Sequence, residues 1–112
     1  MISIIRGTDN SIKITFKENN VAIDITGYTI LFTVKKQCDI NKDDDFALIK
    51  KTITTHSDPT YGESTLILSS TDTDIDEGNY YWDLRLIKDG VITQTQRDNL
   101  EITNGITTRK LD

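Results

Sequence analysis

Apolar residues fall at every second position along several short stretches of the chain. The clearest are residues 11–16, 28–34 and 80–86, in which aliphatic and aromatic side chains alternate with mostly polar ones. A period of two puts alternate side chains on opposite faces of a strand, so each stretch predicts a β-strand with one buried face. The segments that predict strands by this or a similar pattern are residues 2–6, 11–16, 21–25, 28–35, 46–55, 64–68, 79–88 and 100–103.

Turn residues separate these segments, and no helical or solenoid repeat is present. Asp89-Gly90 predicts a two-residue hairpin turn that pairs Lys88 with Val91 and Leu86 with Thr93. Short alternating segments joined by turns are typical of a sandwich or a barrel. We therefore predict an all-β fold, an immunoglobulin-like β-sandwich of about seven to nine antiparallel strands.

One corner of the predicted sandwich has a recognisable local pattern. Tyr80 stands at the start of a strand, two residues before Trp82, and immunoglobulin sandwiches carry a corner tyrosine at such a position. Its hydroxyl returns to the backbone a few residues upstream in that motif. The alternative is that Tyr80 is an ordinary core residue. Either way the alternation predicts that Trp82 faces the core.

Composition supports the strand prediction and limits the number of domains. Residues that favour strands supply 45 of the 112 positions, with 17 threonines and 17 isoleucines among them. The length suits one domain, which we place at residues 1–112. Between residues 69 and 74 the polar run predicts a corner, with one helical turn capped by serine or threonine.

The formal charge is -5, and it is concentrated in the second half of the chain. Residues 1–56 carry 8 basic and 7 acidic groups (+1), whereas residues 57–112 carry 5 and 11 (-6). An acidic balance repels phosphate, so we expect neither nucleic acid nor an anionic membrane as a partner.

Cys38 is the only cysteine, so no internal disulfide can form and a reducing compartment suits the chain. Residues 1–5 are too short for a signal peptide, and no apolar run approaches the ~18 residues that span a bilayer.

The acidic segment at residues 39–45 offers weak candidates for a metal site, Asp39, Asn41, Asp43 and Asp45. They resemble the opening of a calcium loop, which requires Gly at the sixth position and Glu at the twelfth. Counted from Asp39 those positions hold Asp and Lys, so we expect a solvated loop, no metal and no cofactor.

Two further groups have the residue types of catalytic sites. His56, Ser57 and Asp58 are adjacent, and a triad requires side chains that converge from separate places. The second group consists of the carboxylates Asp72, Asp74, Asp76 and Glu77. Two of them could act as a general acid and base, but roles in turns and helix caps also explain acidic residues at these positions. We expect no enzymatic activity.

Several segments in order resemble one known family. They are residues 6–8 (RGT), 12–16 (IKITF), 25–28 (ITGY), 31–35 (LFTVK), 45–51 (DFALIKK), 68–73 (LSSTDT), 78–84 (GNYYWDL) and 88–91 (KDGV). Together they resemble the immunoglobulin-like N-terminal domain of phage upper baseplate proteins and related phage tail accessory proteins, over nearly the whole chain. The matching motifs are structural, so the resemblance transfers no functional residues.

The resemblance implies a non-catalytic structural protein of the phage virion, assembled in the host cytoplasm. Such a protein makes contacts in the tail or baseplate, and its implied partners are other virion structural proteins, with further copies of the chain as an option. In the family a following segment carries the receptor-binding protein. Because this sequence ends at Asp112, we expect a stand-alone accessory or anchoring protein.

The predicted contact surface is the first strand, through Ile2, Ile4 and Ile5, because an apolar edge strand can be extended by a neighbour. The alternative is that this strand pairs only within the domain. The alternative function is a carbohydrate-binding or adhesive β-sandwich module, with or without the help of calcium.

Overall fold

The computed structural model describes residues 1–106, and at positions 94 and 95 it describes the backbone alone. Nine strands account for most of this part of the chain. They are β1 (Ile2–Ile5), β2 (Asn10–Thr15), β3 (Lys17–Glu18), β4 (Val21–Ala22), β5 (Thr29–Lys35), β6 (Ile49–Ile53), β7 (Glu63–Leu68), β8 (Gly78–Lys88) and β9 (Val91–Thr103). Three short 3-10 turns lie at Gln37–Asp39, Asp44–Phe46 and Pro59–Tyr61. Over residues 1–106 no helix has the length and apolar character needed to cross a membrane.

The strands form a large sheet and two small ones. The large sheet has five strands in the order β1-β9-β8-β5-β6, while β2 pairs with β7 and β3 pairs with β4. All pairs are antiparallel except β1 with β9, which run parallel from Ile2 opposite Leu100 to Ile5 opposite Thr103. The expected all-antiparallel arrangement is therefore wrong for this one pair.

A single hydrophobic cluster lies between the five-stranded sheet and the β2–β7 sheet. In β5 the buried positions alternate strictly, and Ile30, Phe32 and Val34 are at most 1% exposed. From the other sheet Leu66 and Leu68 enter the same cluster. Each fully buried side chain of this size contributes about 1.5–3 kcal/mol, so the apolar layer between the sheets is the main stabilising feature. The architecture is a β-sandwich, as the alternation predicts.

The β8–β9 hairpin agrees with its prediction for the two pairs next to the turn and differs from Leu86 onward. Asp89 and Gly90 have φ values of 52° and 78°, and Lys88 pairs with Val91. Leu86, however, pairs with Gln94 instead of Thr93, because a bulge shifts the register between Leu86 and Ile87. The hydroxyl of Thr93 donates to the Leu86 carbonyl at 3.2 Å and so occupies the bulge.

The predicted corner tyrosine is present. Tyr80 is 5% exposed, and its hydroxyl donates a hydrogen bond to the backbone carbonyl of Asp76. Burial raises the pKa of the Tyr80 phenol, and the negative charge of Asp76 raises it further. The bond ties the chain that enters β8 to the core side chain of that strand.

Trp82 lies on the predicted face of β8 but at the margin of the core. Its ring centroid is 6.0 Å from that of Phe32, and its Nε1 donates to the Asn99 carbonyl at 3.1 Å. Its neighbour in register on β9 is Asp98, whose side chain is 50% exposed. The second layer therefore does not cover this part of the large sheet, and Trp82 is only half-buried.

Two predicted strands are shorter than expected. β4 ends at Ala22, because Ile25 instead donates its amide to the Pro59 carbonyl at 2.9 Å and accepts from Tyr28 at 3.0 Å. Likewise Phe46, expected to begin a strand, ends a 3-10 turn and is 52% exposed.

The predicted capped turn lies between β7 and β8. The amide of Thr73 donates to the Ser69 carbonyl at 3.1 Å, which closes one helical turn. Ser69 and Asp72 cap it reciprocally, since each side chain accepts a hydrogen bond from the backbone amide of the other at 3.2 and 2.8 Å.

Candidate functional site

The first strand pairs within the domain and also forms one edge of the large sheet. Ile4 is 3% exposed and belongs to the core, Ile2 is half-buried against it, and Ile5 is 52% exposed. Of the three side chains predicted to form a contact surface, Ile5 is the one that points to solvent. The other accessible feature of β1 is the backbone along its outer edge.

Backbone geometry shows which groups of β1 face outward. The amide of Arg6 donates to the Thr103 carbonyl of β9 at 2.7 Å. Backbone groups alternate in direction along a strand, so Ile2 and Ile4 also face β9, whereas Ser3 and Ile5 face away. The Ile5 carbonyl accepts from the Thr8 hydroxyl at 2.6 Å, which leaves the amide and carbonyl of Ser3 at the open edge.

The acidic loop uses its carboxylates to hold its own turns. Asp39 pairs with Lys42 at 3.1 Å, and this contact holds the pKa of Asp39 below its usual value. Asp43 accepts from the amide of Asp45 at 2.7 Å, so it caps the following 3-10 turn. Asn41 and Asp45 are exposed. Within residues 1–106 no three or more His, Cys, Asp or Glu side chains are placed to hold a metal ion.

His56 is paired with a serine, but not with its neighbour in sequence. Its Nε2 lies 2.7 Å from the Tyr28 carbonyl and its Nδ1 lies 2.9 Å from the hydroxyl of Ser64. A carbonyl can only accept a hydrogen bond, so Nε2 carries a proton and donates a hydrogen bond to the Tyr28 carbonyl. Ser64 is fully buried in β7, beyond the reach of a substrate. His56 thus joins the residue before β5 to β7, and Ser57 and Asp58 take no part in these contacts.

The four carboxylates of the second acidic group, residues 72–77, contact several different partners. Arg6 Nε lies 2.9 Å from Asp74 and its Nη1 lies 3.7 Å from Asp76. Asp72 instead pairs with Lys51 of β6 at 2.7 Å, while Glu77 accepts from the amide of Asn104 at 3.3 Å. These contacts connect the corner before β8 to the chain after β1, to β6 and to the chain after β9.

A cleft that the sequence prediction did not single out lies on the outer face of the large sheet. It has a volume of about 290 Å³, and residues 40–44 of the acidic loop form one wall. Its floor comes from alternate positions of β5, β8 and β9, which point away from the core. The lining side chains include Leu31, Thr33, Lys35, Ile40, Lys42, Asp44, Tyr81, Asp83, Arg85 and Arg97. The signal in the sequence was weak, because β5 and the acidic loop lie far from the β8–β9 hairpin along the chain.

Ion pairs and one aromatic contact organise this cleft. Lys35 Nζ lies 3.0 Å from Asp44 and donates to the Lys42 carbonyl at 2.7 Å, which fastens the loop to the sheet. The guanidinium of Arg97 stands over the ring of Tyr81, 5.7 Å from its centroid. Burial under the loop raises the pKa of Asp83, even though nearby positive charges, that of Arg85 first, act in the opposite direction.

Comparison with known proteins identifies the fold. No family model matches the chain, and no curated protein matches it in sequence. Among solved structures it is similar to the NK cell receptor Nkp44, described as a triggering partner in natural cytotoxicity, with a TM-score of 0.51 and 14% identity. The match covers 91% of this chain and 95% of that one. At this identity the likeness shows the fold alone, and the fold is an all-β immunoglobulin-like sandwich.

Proposed function

We propose that the protein is a non-catalytic structural module of a phage virion, which docks onto other tail or baseplate proteins through the open edge of β1. The virion setting rests on the ordered segments that resemble phage baseplate and tail accessory domains. The docking role is carried by one observation: among the described strands, β1 has β9 on one side and no strand on the other.

The outer edge of β1 has the groups that strand addition requires. Ser3 offers an amide and a carbonyl, and the adjacent Ile5 offers an exposed apolar side chain. An added strand gains affinity from backbone hydrogen bonds and specificity from alternate side chains. Ile4 supports this role indirectly, because its burial holds β1 in place against β9.

Repetition in a particle strengthens such a contact. Four residues form a short edge, and one copy of it binds weakly. When many copies are held in a symmetric assembly, each later contact becomes intramolecular and the combined affinity rises by about 10²–10⁴. A small domain with a short open edge is therefore well suited to assembly.

Mass spectrometry and immunogold electron microscopy of purified phage particles test the virion assignment. We expect the protein in washed virions at a constant copy number relative to the major tail protein. Its absence from particles produced in cells that express it would reject the virion function.

A second experiment tests the role of the β1 edge on its own. Ser3→Pro removes the outward amide, and proline is tolerated where a strand amide faces away from its ladder. Ser3→Ala is the matched control, because it keeps that amide. We expect Ser3→Pro to fold and to be lost from particles, and Ser3→Ala to be incorporated normally. Equal incorporation of the two folded variants would reject β1 as the docking edge and leave the virion assignment standing.

A further inference from the structure

The outer face of the large sheet carries an ordered set of charged and aromatic side chains. Strand register places Asp83 of β8 between Thr33 of β5 and Arg97 of β9. Two residues along β8, Arg85 lies opposite Leu31. Directly opposite residues in a sheet share a face, and diagonal neighbours lie about 7–8 Å apart. Arg85 and Arg97 are such a diagonal pair across the floor of the cleft.

The two arginines differ from the lysines of the same cleft. Lys35 pairs with Asp44, and Lys42 pairs with Asp39. Within the part of the chain that the structure describes, Arg85 and Arg97 make no ion pair within 4.0 Å, and both are exposed. Two guanidinium groups with free donors therefore face the same cleft.

The local charge is opposite to that of the whole chain. The cleft is lined by four basic and two acidic side chains, whereas the formal charge of the chain is -5. A basic cleft on an acidic domain attracts a discrete acidic group, while the rest of the surface repels an extended polyanion. Guanidinium groups bind carboxylates in a planar, two-bonded geometry.

We propose that this cleft is a second docking site, which binds an acidic segment of a partner protein through Arg85 and Arg97. This inference depends on the proposed function in one respect only, which is that the partner is a protein. Two carboxylates of the segment pair with the two guanidinium groups. The ring of Tyr81, already covered by Arg97, and the side chain of Leu31 pack against the stems of the bound residues.

Asp83 should affect binding of the acidic segment in the opposite direction to the two arginines. Its carboxylate lies opposite Arg97 in register and on the same face as both arginines, so it weakens the binding of another carboxylate there by repulsion. The groups that face it are Lys35, Asp44, Arg85 and Arg97. Replacing Asp83 by asparagine removes the repulsion and keeps the size of the side chain.

Fluorescence anisotropy with a fluorescein-labelled hexaglutamate peptide tests the site at an ionic strength of about 0.15 M, where the Debye length is about 8 Å. The purified protein is compared with the double variant Arg85→Gln/Arg97→Gln, with Asp83→Asn, and with Lys13→Gln/Lys17→Gln as a control of equal charge change. Lys13 and Lys17 are exposed on β2 and β3, which do not belong to the large sheet that carries the cleft. Circular dichroism verifies that each variant is folded.

We expect the arginine double variant to weaken peptide binding by about tenfold or more. The lysine double variant should change it less than about twofold, because exposed charges beyond a Debye length are screened. Asp83→Asn should strengthen binding, and this arm remains informative if the arginine variant fails to fold. Equal weakening by the two double variants, or no gain in Asp83→Asn, would overturn the proposal. Tighter binding of sialyllactose or of single-stranded DNA than of the peptide would also overturn it. None of these results depends on the presence of the protein in virions.

Discussion

At the scale of single residues, a few polar side chains hold loops against the core. Tyr80 and Asp76 fix the entry to β8, and His56 joins the residue before β5 to β7. Asp72 combines a cap on its own turn with an ion pair to Lys51 on β6. The contacts of His56 with Tyr28 and of Asp72 with Lys51 join segments that are far apart in sequence, and the Tyr80 bond is made by a core side chain. We therefore expect their loss to affect stability more than the loss of ordinary surface contacts.

Tyr80→Phe should lower the free energy of unfolding by about 1–3 kcal/mol, because it leaves the Asp76 carbonyl without its buried donor. Urea denaturation measures the change. Tyr81→Phe is the control, since this neighbouring ring lies on the outer face and loses the same hydroxyl. A change of the same size in both variants would contradict a special role for the corner bond.

Asp72→Asn should destabilise the protein in a pH-dependent way. Burial alone would raise the pKa of Asp72, but hydrogen bonds from Lys51 and Ser69 outweigh it, and the pKa is lowered. The folded state therefore releases this proton more readily than the unfolded state, whose pKa is about 3.9. The stabilisation is full above about pH 4 and is lost as the pH falls through the lower, folded-state value.

Urea titrations of Asp72→Asn at several pH values measure this effect. We expect a loss of about 1 kcal/mol at neutral pH, because asparagine can still cap the turn but loses the ion pair with Lys51, and a smaller difference in acid. Asp74→Asn, on the same corner and with a 64% exposed side chain, should show a small effect throughout. A deficit in Asp72→Asn that persists unchanged in acid would argue against the ionic contribution.

At the scale of elements, alternation predicts strands well where one face is buried and the turn is chemically distinctive. β5 and β8 agree with their predictions because every second side chain enters the core. The bulge at Leu86 could not be predicted, because it depends on how Thr93 bonds across the hairpin. The cleft was missed for a related reason: register brings Asp83 and Arg97 together, and register is not visible in a linear pattern.

Gly62 is the best test of how the smaller elements fit together. Its φ is 70°, and a Cβ there would lie 2.5 Å from the Phe16 carbonyl and 2.7 Å from the Ile23 carbonyl. Gly7 has a φ of 76° with no atom within 4 Å of such a Cβ. Gly7→Ala should therefore cost about 1–2 kcal/mol through its dihedral alone, and Gly62→Ala clearly more. Thermal melts of both variants measure these costs. Equal losses of stability would show that the backbone around Gly62 shifts to accommodate the added Cβ.

At the scale of the whole molecule, the two layers share one apolar cluster. Such a cluster predicts a single cooperative unfolding transition. Trp82 reports on the margin of the core through its fluorescence, and far-ultraviolet circular dichroism reports on all strands. We expect the two urea curves to coincide. A fluorescence transition that precedes the loss of ellipticity would show that the region around Trp82 unfolds separately and that the domain is not one cooperative unit.

The parallel pairing of β1 with β9 has a consequence for biosynthesis. Ile2 to Ile5 find their neighbours only at residues 100–103, so the ribosome has to release almost all of the described chain before the first strand can be placed. At about 5–20 residues per second, β2, β5 and β7 are synthesised seconds before residues 100–103 and can begin to pack. β1 can thus join the sheet only after the last of the described strands has been made, and until then both of its backbone edges are open to any nascent neighbour.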